Sequence, residues 1–186
     1  MNFDSFSSGQ YLSKLWLAQT IERILPDYHQ RPDGYTIWIL AGWYGITNLI
    51  LRTRNNLKIR QVRSFDLDPS CESIADKINE TWVWQGWQFK AFTKDINLVD
   101  YEEKPDVVIN TSVEHIDNDQ WFHNIPKGTL VFLQSSDLEH DDHSNVFKNT
   151  QEMMDRYSLS EFLYDGVKYF DFGDCSYCRF MIAGIK

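Results

Sequence analysis

Apolar side chains at Tyr11, Leu12, Leu15, Trp16, Ile21, Ile24 and Leu25 recur at helical spacing between Gly9 and Pro26, with Ser8 placed as a cap and Pro26 as a stop. Two prolines and a glycine mark residues 26–34 as a loop. The run Tyr35-Thr-Ile-Trp-Ile-Leu-Ala41 is then short and β-rich enough for a buried strand, ended by Gly42. A short helix over Ile46 to Arg54 leads to a second strand ending in Ser64-Phe-Asp-Leu-Asp-Pro69, where Pro69 and Ser70 open a helix running to about Trp84. Gly86 breaks that helix, and Trp87 to Phe92 alternates like a strand. Pro105-Asp-Val-Val-Ile-Asn110 and Thr129-Leu-Val-Phe-Leu-Gln134 read as two more buried strands. A polar loop from Ser135 to Asn145 precedes a helix near Val146 to Tyr157. Val167 to Phe172 and Tyr177 to Ile185 form a terminal strand pair turning at Gly173-Asp174.

Strands that alternate with helices and are themselves nearly continuous in apolar residues predict a mostly parallel sheet covered on both faces. The last two strands have no helix between them, so one runs antiparallel at the end of the sheet. The expectation is an α/β protein in three α/β/α layers: a Rossmann-like, doubly wound sheet of about seven strands with an antiparallel C-terminal strand. Residues 1–186 read as one domain, with 1–30 as an N-terminal helix and lid region.

Composition narrows the function classes. With 186 residues, 42% of them hydrophobic, the chain can bury one full core. Lys and Arg number 18 against 27 Asp and Glu, a formal charge of −9, which opposes non-specific binding to nucleic acid. Lys58, Arg60 and Arg63, with Arg52 and Arg54 upstream, form the one basic concentration. They are expected to protect a sheet edge rather than bind phosphates. The start lacks a basic segment followed by an apolar one, and no apolar run approaches the roughly 20 residues of a membrane span. Three cysteines give no disulfide framework, so a soluble, cytoplasmic protein is expected.

In a doubly wound sheet the ligand lies beyond the carboxyl ends of the strands, so residues just past each strand carry the chemistry. After the first strand, Ala41-Gly-Trp-Tyr-Gly45 offers glycines for a tight turn and close backbone approach. Asp66 follows the second strand, where a carboxylate can accept from ribose hydroxyls, while Asp68 suits a helix cap. Asp95 follows the third. Asn110-Thr-Ser-Val-Glu-His115 follows the fourth, dense in short hydrogen-bonding groups and ending in a candidate acid or base.

In these residues and in the order of its elements, the chain from about Thr36 to its end resembles the class I, Rossmann-like S-adenosylmethionine-dependent methyltransferases. The resemblance implies that Gly42 and Gly45 hold the methionine part of the cofactor, with Trp43 and Tyr44 between them, that Asp66 holds the ribose and that Asp95 holds the adenine. The Pro105 to Ile116 segment looks like the family's fourth-strand motif, so Asn110, Thr111 and Ser112 face cofactor and substrate, with His115 or Glu114 as the base where an acceptor must lose a proton. Where the family has an acidic residue and a middle glycine, this chain has Leu40 and Tyr44. That predicts a rebuilt loop with aromatic walls, for which Trp43, Tyr44 and Trp121 are candidates.

The function implied is methyl transfer from S-adenosylmethionine to a small molecule or short exposed motif. The alternatives are another reaction of the same cofactor (lyase, cyclisation or aminocarboxypropyl transfer) or a non-catalytic Rossmann-like binding subunit. No metal site is expected. Cys175-x-x-Cys178 lacks a second cysteine pair. His140-Asp-Asp-His143, which could hold a divalent ion beside a hydroxylated substrate, is read as a solvated loop.

Overall fold

Buried apolar runs put five parallel strands at the centre of the computed structural model, which describes residues 3–141, 143–173 and 175–186. They are β1 (Tyr35–Leu40), β2 (Ile59–Asp66), β3 (Phe89–Thr93), β4 (Val107–Asn110) and β5 (Leu130–Ser136); β6 (Glu161–Asp171) and β7 (Ser176–Ile185) form the terminal hairpin. The sheet order is β3-β2-β1-β4-β5-β7-β6, and β7 is antiparallel to both of its neighbours, as the missing helix required. This is the expected Rossmann-like architecture. The two faces of the sheet bury separate clusters. One takes Ile37, Ile39, Val107, Ile109 and Phe132 against α1 (Ser8–Tyr28), α2 (Ile46–Arg54) and α3 (Pro69–Ile78). The other takes Trp38, Leu40, Val108, Val131 and Leu133 against α5 (Gln120–Asn124) and α6 (Thr150–Arg156). No described helix is long and apolar enough to cross a membrane.

Several boundaries differ from the sequence reading. Ser7, not Ser8, caps α1, accepting from the Gln10 N–H at 3.4 Å, and Pro26 lies inside the helix rather than stopping it. Pro26 forfeits one intrahelical bond, to Glu22 O, and the helix ends two residues later. The helix read through to Trp84 is two, α3 and α4 (Glu80–Trp84), because the buried Asn79 spends its side-chain amide on Gly45 O and Ala75 O. The helix expected from Val146 shrinks to α6, whose cap is Asn149, and β6 begins six residues earlier than the alternation suggested.

The basic concentration does not sit at an edge. β2 lies between β1 and β3, and the edge strands are β3 and β6. Its cations instead tie chain segments together: Arg52 donates to Ile59 O and Gln88 O, Arg60 to the Thr36 hydroxyl and Arg63 to Trp87 O. The turn expected at Gly173-Asp174 includes Asp174, which lies outside the described residues.

Candidate active-site cleft

A cleft of about 880 Å³ opens at the carboxyl ends of β1 to β5, within the size range of small-molecule sites. Ala41, Gly42 and Trp43 line it after β1, Asp66 after β2, Asp95 and Ile96 after β3, and Thr111, Ser112, Glu114 and His115 after β4. Ser136, Leu138, His140 and His143 line it after β5, and Gln10 and Lys14 of α1 with Arg179 of β7 close one side.

The loop after β1 is built to turn sharply. Gly42 N–H donates to Phe65 O at 3.0 Å, extending the β1–β2 ladder by one residue. A Cβ on Gly42 would come within 2.0 Å of Ser64 Oγ, so its glycine character serves packing on β2. Gly45 has φ +71° and a Cβ there would meet Asn79 Nδ2 at 2.6 Å. On either side of Gly42, Ala41 and Trp43 adopt left-handed backbone at φ 50° and 49°, an uncommon conformation for side chains of this kind. Trp43 faces the cleft, while Tyr44 is buried and stacks on it with ring centroids 5.0 Å apart. Of the three rings expected as walls, only Trp43 is one. Tyr44 and Gly45 do not line the cleft, and Trp121 is fully buried in the core against Phe122 and Tyr157. Leu40, in the place of the family's acidic residue, is likewise in the core.

Asp66 holds this loop. Its Oδ2 accepts from the Trp43 N–H at 2.8 Å and its Oδ1 from the Asp68 N–H at 3.1 Å. Each oxygen keeps a lone pair for a hydroxyl donor, since a carboxylate accepts about four hydrogen bonds. Asp68 caps α3 through the Ser70 N–H at 2.8 Å. Asp95 spends Oδ1 on the backbone and side-chain N–H groups of Asn97, and its Oδ2 takes no hydrogen bond among the described residues. Asn110 is fully buried and does not line the cleft; its Oδ1 accepts from the Ser112 N–H at 2.9 Å and shapes the turn that delivers Thr111 and Ser112 to it.

Charge inside the cleft is uneven. Among the described lining residues, Asp4, Asp66, Asp68, Asp95, Glu114 and Asp117 outnumber Lys14 and Arg179. Glu114 is buried and ion-paired: Arg179 Nη1 donates to its Oε1, and Nη2 donates to Thr111 O. Among the described residues, Glu114 Oε2 and Arg179 Nε have no partner. Lys14 is 6% exposed and donates to Gln10 Oε1; burial, reinforced by Arg179, lowers its pKa from 10.5 to about 7. An amine in such a place is neutral in half the molecules near pH 7.

Several solved structures of methyltransferases share this fold. Magnesium protoporphyrin IX methyltransferase from Synechocystis PCC 6803, with S-adenosylmethionine bound, matches with a TM-score of 0.64 and 11% identity over 93% of this chain and 80% of its own. The N-methyltransferase NodS of Bradyrhizobium japonicum gives 0.65 and 10% over 94% and 98%. The fold is that of the class I methyltransferases. A phosphoethanolamine N-methyltransferase of Haemonchus contortus in complex with S-adenosylhomocysteine matches 99% of this chain but 59% of its own, at a TM-score of 0.61 and 13% identity. No family model and no curated protein matches the sequence itself.

Against this methyltransferase fold, the residues that sequence reasoning missed are Lys14 and Arg179. Both left a signal. Lys14 falls on the stripe of Leu17, Ala18, Ile21 and Leu25, where every other position is apolar, and Arg179 opens the otherwise apolar run Phe180 to Ala183.

Proposed function

We propose that the protein transfers a methyl group from S-adenosylmethionine to a small-molecule acceptor. The observation that carries this reading is Asp66. Its carboxylate stands at the end of β2, on the cleft, fixed by the backbone of the β1 loop on one oxygen and by the start of α3 on the other. Two oriented oxygens with spare lone pairs suit a pair of adjacent ribose hydroxyls. The acidic lining suits a ligand carrying a sulfonium and an ammonium group.

The residues present fit that cofactor as follows. Asp66 takes the ribose, Asp95 Oδ2 the adenine amino group, and Gly42 with Trp43 the methionine part. Thr111 and Ser112 lie where cofactor and acceptor meet. Tyr44 and Gly45 act through the loop's shape, and Asn110 through the turn after β4. When bound, S-adenosylmethionine supplies an electrophilic methyl carbon on a positively charged sulfur.

The chain's own contribution is alignment and exclusion of water. The loops after β4 and β5 and the first turns of α1 bound the acceptor side, leaving room for a small molecule or short motif. Three groups there can move a proton. His115 lines the cleft, Lys14 is held near neutrality by burial, and Glu114 has one oxygen engaged by Arg179 and one unengaged. Of these, Lys14 is poised by its pKa to accept a proton from an acceptor near pH 7.

The test is calorimetric titration of the purified protein with S-adenosylmethionine and S-adenosylhomocysteine, followed by chromatography of the incubated cofactor with and without candidate acceptors. Binding with intact cofactor, and S-adenosylhomocysteine formed only with an acceptor, is the expected result. Methylthioadenosine released without an acceptor would replace methyl transfer by lyase or arm-transfer chemistry. Absence of binding would leave a non-catalytic subunit.

A further inference from the structure

One buried acceptor in the cleft is unexplained. Glu114 is 2% exposed, Arg179 occupies Oε1, and Oε2 has no hydrogen-bond partner among the described residues. A buried carboxylate oxygen without a donor is costly, and a bound cation is one of the few partners that can offset that cost. Two imidazoles stand beside it. Ligand atoms of Glu114, His115 and His143 all lie within 4.8 Å of one another, and the two rings meet edge to face with centroids 4.5 Å apart.

The three residues come from different loops that the backbone binds together. Glu114 and His115 follow β4, whereas His143 follows β5. The Ser144 and Asn145 N–H groups both donate to Glu114 O, at 2.8 and 2.9 Å, which fixes His143 over the β4 loop. The His143 ring is oriented as well. Its Nδ1 lies 2.6 Å from Leu138 O, so Nδ1 carries the proton and Nε2 presents its lone pair. A backbone carbonyl on the second ring nitrogen is the usual support of a metal-bound histidine.

We infer that Glu114, His115 and His143 form a binding site for a divalent transition-metal ion of the zinc or cobalt class. Two imidazole nitrogens and one carboxylate oxygen form a donor set for such ions rather than for calcium or magnesium, which favour oxygen ligands throughout. Ligands about 2.0–2.2 Å from a common ion stand some 3–4 Å apart, close to the spacing of up to 4.8 Å found here. Three protein ligands leave a coordination position open, and all three residues line the cleft. This differs from the local His140-Asp-Asp-His143 site suggested by sequence spacing. His143 serves here with partners from another loop, and Asp142 lies outside the described residues.

The test uses tag-free protein stripped with EDTA and dialysed, titrated with zinc chloride alone by calorimetry and with cobalt chloride followed by visible absorption. No S-adenosylmethionine is added, so failure here leaves the methyl-transfer reading to its own titration. The expected result is one equivalent bound at micromolar concentration or tighter, with cobalt d–d bands of an N/O site. His115→Ala and His143→Ala should each weaken binding at least about 100-fold, since loss of a mere supporting group costs 10–100-fold. His123→Ala, on α5 away from the cluster, should leave binding unchanged. Circular dichroism confirms that the variants are folded, as expected for substitutions at an exposed and a half-buried ring. No saturable binding by the folded wild type, or wild-type affinity in both histidine variants, would overturn the assignment.

Discussion

Replacing Lys14 by methionine removes a buried amine and keeps an unbranched side chain of similar length. Burial, then Arg179, lowers the Lys14 pKa from 10.5 to about 7 in the fold. Between those two values the unfolded chain binds more protons than the native one, so stability rises with pH. The stability tied to the neutral amine is therefore fully present above the unfolded value of 10.5 and is lost progressively as pH falls to the folded value of about 7. Linkage with these two values gives a gain of about 1.6 kcal/mol between roughly pH 7 and pH 8.5. Stopping there limits the opposing contribution of Cys71, whose thiol is pushed up to about 12, chiefly by burial. Cys71 then removes only a few tenths of a kcal/mol, because an unfolded thiol is no more than about half ionised at that pH. Urea denaturation followed by tryptophan fluorescence, in EDTA at the two pH values, measures the difference. The wild type should gain more than 1 kcal/mol, Lys14→Met should gain almost nothing, and the variant should be the more stable protein at the lower pH. An equal gain in both proteins would refute the assignment of a neutral buried Lys14.

Asp66→Ala and Asp95→Ala should each weaken S-adenosylmethionine binding by about 1–3 kcal/mol, or roughly 5–150-fold, measured by calorimetry; wild-type affinity in both would remove these carboxylates from the cofactor site. Gly45→Ala forces a Cβ at φ +71° to within 2.6 Å of Asn79 Nδ2 and should cost about 3 kcal/mol of unfolding free energy. Gly86→Ala, with the same φ and nothing within 4 Å, should cost about 1 kcal/mol, and equal losses would show that packing around Asn79 is irrelevant. Ellman's reagent at about pH 8 should label the exposed Cys175 in the native protein and reach the buried Cys71 only in denaturant. Rapid native labelling of Cys71 would contradict its burial.

Much of the fold is legible because strand and helix signals are local. Tyr35 to Leu40 and Val107 to Asn110 are apolar on both faces, which is the mark of a strand inside a covered parallel sheet, and both are buried at every position. The paired terminal strands, with no helix between them, fixed the one antiparallel strand. The misplaced elements share another cause, since their boundaries depend on residues far away in the chain. Asn79 splits a continuous helical pattern because Gly45, 34 residues earlier, needs its amide. Trp121 reads as well for a pocket wall as for a core ring, and only the packing of α5 against Tyr157 puts it inside.

The sequence by itself determined the layer architecture, the position of the cleft and the two aspartates after β2 and β3, since each follows from where an apolar run ends. Tertiary structure alone decided what the cleft contains. Lys14 on the first helix and Arg179 on the last strand converge on Glu114 across most of the chain, and His143 reaches it from a different loop. The physical reason is that burial and charge pairing are properties of three-dimensional neighbours. The same lysine is an ordinary cation in an extended chain and a half-neutral amine once an arginine and a layer of side chains have displaced its water.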